Sequence, residues 1–236
     1  VDIPTPPFNG TFGLPGVRMQ LYHNGIPISY NHTNESGYYT LRISDPIFFI
    51  ERLPTSIEVL LKDNGTGQVP YINVQQVNPA PLVDVGITTT PETVTPTQLV
   101  KNISFSDNFK IATTTIGTTN RNRLDDFAVM YYHAWQALNF TLKGLNLTLD
   151  HSLPVDVRGW DTGGTRYIPT TSTVFISVAD SPITSPNRPK NREWHEFGHH
   201  VLADSLVGTN NNLPFYPGNR NHLGYGNPNT EDSWVE

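Results

Sequence analysis

The sequence predicts an α+β protein, in which a small β-sandwich precedes a mixed domain of strands and helices. Three observations lead to this fold class. Apolar and polar residues alternate repeatedly within residues 1–80, prolines and threonines crowd residues 81–98, and helical spacing of apolar residues begins only within residues 99–236. These segments are therefore the predicted sandwich, linker and second domain.

The N-terminal segment contains three short runs with the alternation of half-buried strands, at residues 17–22, 39–43 and 57–61. Asn24-Gly25 predicts a tight turn after the first run. The stretches GLPGVRMQLY (13–22) and GYYTL (37–41) resemble the carboxypeptidase-regulatory or transthyretin-like β-sandwich. That resemblance implies a spacer or adhesive module and no catalytic residue.

The second domain is predicted to hold strands at 99–121, 153–159 and 172–179, together with two helices. The first helix follows Asn122 as a helix cap and carries apolar residues three and four positions apart. These are Phe127, Met130, Tyr131, Ala134, Trp135 and Leu138. His133 lies off this stripe, so we expect it to be exposed. The second helix is predicted after Asn191, because no proline interrupts residues 190–206.

The second helix carries the pattern H-E-x-x-H as His195, Glu196 and His199. Residues four apart lie on one face of a helix, so both imidazoles can meet one ion. Neutral imidazole is a good ligand for Zn²⁺. Glu196 stands beside the first ligand, where its carboxylate can take a proton from a water molecule that the metal has acidified. The spacing therefore predicts a hydrolytic zinc site.

With this motif, residues from about 124 to 236 resemble a zincin metallopeptidase. The resemblance implies a mixed sheet whose edge strand, at residues 174–178, holds a peptide beside the metal. The metzincin pattern is excluded, because Leu202 and Ser205 stand where it needs glycine and histidine. The gluzincin branch takes its third ligand from a Glu on a later helix, and Trp234-Val235-Glu236 is similar to its W-x-E. Glu236 is therefore the expected third ligand.

Two alternatives to Glu236 stay open, namely Glu231 and His222. The spacing from His199 to Glu236 is longer than gluzincins usually have. Since the expected ligand helix is only beginning at Glu236, we also expect a longer native chain or a partner chain to complete the site. The resemblance further implies a His or Tyr that donates to the oxyanion, and His222 and Tyr225 are the candidates.

Composition narrows the function further. The net charge of −6 and pI near 5.7 argue against a nucleic-acid partner, and no apolar run is long enough to span a membrane. Cysteine is absent, so disulfides and Cys-ligated metals are excluded. Seven N-x-S/T sequons predict N-linked glycans on a secreted or cell-surface protein. They stand at Asn9, Asn31, Asn34, Asn64, Asn102, Asn139 and Asn146.

The function predicted from these patterns is a secreted zinc metallopeptidase that acts on peptide or protein substrates. The alternative is a glycosylated extracellular filament or adhesin subunit, which keeps a zincin-like fold without turnover and self-assembles. The sequons, the predicted sandwich and the absence of cysteine are compatible with either function.

Overall fold

The computed structural model describes residues 13–42, 54–63, 71–77, 82–89, 91–93, 103, 114–116, 119–121, 124–147, 155–177 and 192–206. Within them the protein is a mixed α/β structure with two five-stranded sheets, one two-stranded sheet and few helices. The strands are β1 (Arg18–His23), β2 (Ile26–His32), β3 (Pro54–Leu60), β4 (Ile72–Gln76), β5 (Val83–Asp84), β6 (Gly86–Thr88), β7 (Glu92–Thr93), β8 (Thr114–Ile116), β9 (Thr119–Arg121), β10 (Val155–Asp161), β11 (Arg166–Ile168) and β12 (Thr173–Ser177). The helices are α1 (Leu124–Asn139) and α2 (Arg192–Leu206), with a π-helical turn at Phe140–Gly144 and a 3-10 turn at Pro169–Thr171.

The first sheet is antiparallel, with the order β2-β1-β3-β6 and with β7 paired to β3. Its centre confirms the predicted alternation, because Val17, Met19 and Leu21 are all buried. The predicted turn is confirmed as well. Asn24 and Gly25 have φ angles of 49° and 76°, which are the left-handed conformations that a two-residue hairpin turn requires.

The strand predicted at residues 39–43 is wrong for its described part, which has no strand conformation. The chain forms a turn just before it, where the Asn34 side-chain Oδ1 accepts hydrogen bonds from the backbone N–H groups of Ser36 and Tyr38. The strand that follows the Asn24-Gly25 turn is β2, and β1 pairs with both β2 and β3.

The second sheet has the order β11-β12-β10-β4-β5. Its centre is parallel, because β10 pairs in parallel with both β12 and β4. β4 lies in the predicted sandwich, and the segment 81–98 holds the short strands β5, β6 and β7. The segment that the sequence predicted as an extended linker therefore contains strands that pair with the two sheets: β5 pairs with β4, and β6 and β7 pair with β3.

The edge strand of this sheet also differs from the prediction. β12 covers most of the predicted residues 174–178, yet it is an inner strand between β10 and β11. After β10 the chain returns as β11, which pairs antiparallel with β12 and forms the outer edge among the described strands. The sequence of β12 cannot show whether it is an edge strand or an inner strand, because that depends on whether another segment of the chain pairs with its free side.

Helix α1 confirms the predicted apolar stripe, since Phe127, Met130, Tyr131, Ala134 and Leu138 are buried. It packs on both β4 and β10 of the second sheet. Apolar side chains from both sheets and both helices belong to one hydrophobic cluster that runs from Val17 to Phe197 in the sequence. The core that supports α2 is therefore built from both halves of the chain.

No helix in the described part of the chain is both long enough and apolar enough to cross a membrane.

Candidate metal centre

Helix α2 carries the H-E-x-x-H residues and is fixed to the core along one face. Phe197 is buried, and Trp194 and Val201 are half-buried against the hydrophobic cluster. The Trp194 ring also packs on Phe140, the first residue of the π-helical turn after α1, with ring centroids 5.7 Å apart. These residues recur at helical spacing, so the face opposite to them is directed away from the core.

The two motif histidines meet on the outer side of α2. The Nε2 atoms of His195 and His199 are 3.0 Å apart, and the two ring planes are perpendicular. Two imidazole nitrogens that bind one tetrahedral Zn²⁺ at about 2.0–2.1 Å stand about 3.3 Å apart. A shift of a few tenths of an ångström therefore brings this pair into ligand geometry. His195 is exposed and His199 is half-buried, so an ion can reach both.

Glu196 lies between the core and the histidine pair. Its side chain is only 7% exposed, in contrast to His195 beside it. A carboxylate at this depth is held away from bulk water, whereas His195 faces outward. Its role as a proton acceptor next to a metal stays a prediction.

A third metal ligand is not found among the described residues. No group of three or more histidine, aspartate or glutamate side chains in them is arranged to hold an ion. The predicted third ligand Glu236, its alternatives Glu231 and His222, and the predicted oxyanion donor Tyr225 all lie outside the described residues.

His200 follows the second motif histidine and packs inward. It is buried, its ring contacts Phe197, and its Nδ1 lies 3.1 Å from the hydroxyl of Tyr167 in β11. This hydrogen bond joins α2 to β11, the outer strand of the second sheet among the described strands. The sequence did not single out Tyr167.

His133 corrects another prediction. It was expected to be exposed, but its side chain is completely buried, and its Nδ1 lies 3.2 Å from Oε2 of Glu193. The apolar stripe of α1 is wider than the large residues suggest, because Ala137 is buried too and lies one turn after His133. The small alanine was the signal in the sequence that this face is also internal.

Comparison with known proteins found no relative. No family model matches the chain, and neither the curated proteins nor the solved structures contain a match.

Proposed function

We propose that this protein is a zinc-dependent metallopeptidase. The observation that carries the proposal is the approach of the His195 and His199 Nε2 atoms to 3.0 Å, with Glu196 buried beside them on the same helix. Two imidazoles suit zinc, and a carboxylate is the usual complement for a hydrolytic site. Glu236 is proposed as the third ligand, with Glu231 and His222 as its alternatives.

The reaction proposed is hydrolysis of a peptide bond. A bound Zn²⁺ would supply Lewis-acid chemistry, acidifying a water molecule and polarising the substrate carbonyl. Glu196 takes one proton from the attacking water as its oxygen bonds to the carbonyl carbon. Glu196 then delivers that proton to the amide nitrogen as the C–N bond breaks, so the products are a carboxylic acid and an amine. His222 or Tyr225 would donate to the oxyanion.

The substrate is proposed to bind as an extended peptide along β11. Among the described strands, β11 pairs only with β12, and its other edge lies at the margin of the sheet. The bond between Tyr167 and His200 places this strand beside the metal-binding helix. A peptide that adds to such an edge gains backbone hydrogen bonds irrespective of its side chains.

The test combines zinc content with Glu196→Gln. Purified protein should retain near one zinc per chain after dialysis against metal-free buffer, measured by elemental mass spectrometry. Glu196→Gln should keep that zinc and lose about 10²–10⁴-fold in cleavage of an unstructured peptide library. The matched control Glu35→Gln removes a carboxylate that is 75% exposed and should leave both properties unchanged. Wild-type protein without zinc, or a Glu196→Gln variant with full activity, would refute the proposal.

Secretion with N-linked glycans is the second part of the proposal. Asn34 and Asn146 are exposed and suit modification, whereas the sequon at Asn139 does not. The hydroxyl residue of that sequon is Thr141, which is buried. Its hydroxyl donates a hydrogen bond to the Ala137 carbonyl at 2.9 Å. After expression in a glycosylating secretory host, intact mass should fall on endoglycosidase treatment and in Asn34→Gln and Asn146→Gln. A wild-type mass equal to that of the bare chain would contradict this part.

Self-assembly is the alternative function, and the outer strand β2 favours it. This strand carries a row of three exposed large apolar side chains, Ile26, Ile28 and Tyr30. An exposed apolar row of this kind promotes association. Light scattering over a concentration series should then show oligomers that Ile28→Lys abolishes. A monomer at every concentration would argue against the filament or adhesin function.

A further inference from the structure

Two ionisable side chains are buried where α1 packs against α2. His133 is 0% exposed and Glu193 is 1% exposed, and the imidazole Nδ1 and carboxylate Oε2 are 3.2 Å apart. Glu193 stands two positions before the first motif histidine. The pair is therefore a polar contact between α2, which carries the H-E-x-x-H residues, and α1.

A buried pair of this kind is not expected to add much to the free energy of unfolding. Removing a carboxylate and an imidazole from water costs free energy, and apolar side chains of similar volume commonly serve a core equally well. What a buried hydrogen bond adds is direction, because it is satisfied only at one distance and angle. The apolar contacts of Trp194 and Phe197 hold α2 on the core, but such contacts tolerate small rotations of a helix.

A rotation of α2 about its axis would move the motif side chains, because they lie on a different face from the residues that contact the core. At 100° per residue, Glu193 lies on the core-facing side, His195 and His199 lie nearly opposite, and Glu196 lies between. Side-chain tips stand about 6 Å from the helix axis, so a rotation of about 10° moves a ligand atom by about 1 Å. Metal–ligand distances tolerate only about 0.2 Å.

We propose that His133 and Glu193 are positioning residues for the metal centre. Their hydrogen bond sets the rotation of α2, so that both imidazoles of His195 and His199 reach one ion while Glu196 faces it. This inference rests on the proposed zinc function.

The first test compares His133→Leu with His133→Asn. An asparagine Nδ2 stands near the place of the histidine Nδ1 and can still donate to Glu193, whereas leucine is similar in size and cannot. Zinc dissociation constants, measured by competition with a chromophoric chelator, should rise about 10–100-fold in His133→Leu. They should return to within about threefold of wild type in His133→Asn. The visible absorption spectrum of the Co²⁺-substituted protein should change in the leucine variant only.

A second variant separates positioning from stability. In His133→Leu/Glu193→Leu both partners of this hydrogen bond are removed together, so neither of them is left facing an apolar side chain. Its melting temperature should stay near wild type while its zinc affinity stays low. The control Phe127→Leu creates a cavity beside α1, the helix that carries His133. It should lower the melting temperature without changing zinc affinity.

The outcomes distinguish the two proposals. A wild-type chain that binds no zinc overturns both the proposed function and this inference. A wild-type chain that binds zinc, together with a folded double variant that binds it equally well, overturns this inference alone. Weak binding in the double variant with recovery in His133→Asn establishes the positioning role.

Discussion

Gly159 is expected to be the position in β10 that least tolerates a side chain. An added Cβ would lie 2.5 Å from Cε1 of Phe127 and 2.9 Å from Sδ of Met130, both on α1. Ordinary contacts between such atoms are about 3.5–4.0 Å, so the neighbours must retreat by about 1 Å. Phe127 and Met130 are fully buried and have no solvent to move into. The strand and the helix can therefore separate only by disturbing the core.

The magnitude for Gly159→Ala follows from two opposing effects. Overpacking of a close-packed core costs about 1–3 kcal/mol. Replacing glycine by alanine restricts the unfolded chain and returns about 0.4–1 kcal/mol. Taken at their midpoints, about 2 and about 0.7 kcal/mol, the two effects leave a net loss of about 1.3 kcal/mol in the free energy of unfolding. For a chain of this size that corresponds to a melting temperature lowered by about 3–5 °C.

The assay is urea unfolding followed by circular dichroism, with Gly164→Ala as the matched control. Gly164 is exposed, and a Cβ added there meets nothing within 4 Å. This control should unfold within about 0.5 kcal/mol of wild type. The double variant Gly159→Ala/Phe127→Leu should lose less than the sum of its single changes, because the smaller side chain relieves the contact. Gly159→Ala with wild-type stability would refute the packing argument.

Three further predictions concern single contacts. Gly198→Ala on α2 should raise the free energy of unfolding by about 1 kcal/mol in denaturant melts, because this exposed helical glycine has open space around an added Cβ. Tyr131→Phe should lower it by about 1–3 kcal/mol, since the buried tyrosine hydroxyl donates to the Pro15 carbonyl at 2.9 Å and that acceptor would lose its partner. For Asp84, burial opposes ionisation, but hydrogen bonds from Lys62, Gln75 and Asn73 outweigh it and lower the pKa of the carboxyl. A lowered folded pKa gives stability that is present above the unfolded value near 4 and is lost as the pH falls through the folded value. Unfolding free energies measured from about pH 5 to pH 2 should therefore fall more steeply in wild type than in Asp84→Asn.

Local features of the fold were predicted well from the sequence. The alternation of Val17, Met19 and Leu21, the turn at Asn24-Gly25 and the apolar stripe of α1 depend on neighbours within a few residues. Their geometry is set by backbone preference and by which face is apolar. Both kinds of information are contained in a short window of sequence.

Pairing between distant segments was not predictable in this way. The parallel contact of β4 with β10, and the place of β11 outside β12, depend on which strands meet after the chain has collapsed. The burial of His133 is a further case, because its polar partner Glu193 is supplied by another helix. A histidine in a partly apolar stripe is internal only when such a partner exists.

The same distinction applies to the candidate site. The approach of His195 and His199 is a local consequence of their spacing, so any helix with this sequence would bring the two rings close. The contacts that the fold adds are not local: Tyr167 of β11 bonds to His200, and His133 of α1 bonds to Glu193. The first contact joins α2 to β11, the strand proposed to bind the peptide. The second contact joins the core-facing side of α2 to α1. An isolated H-E-x-x-H helix can bring two imidazoles together, but long-range contacts such as these are needed to fix the orientation of that pair within the fold.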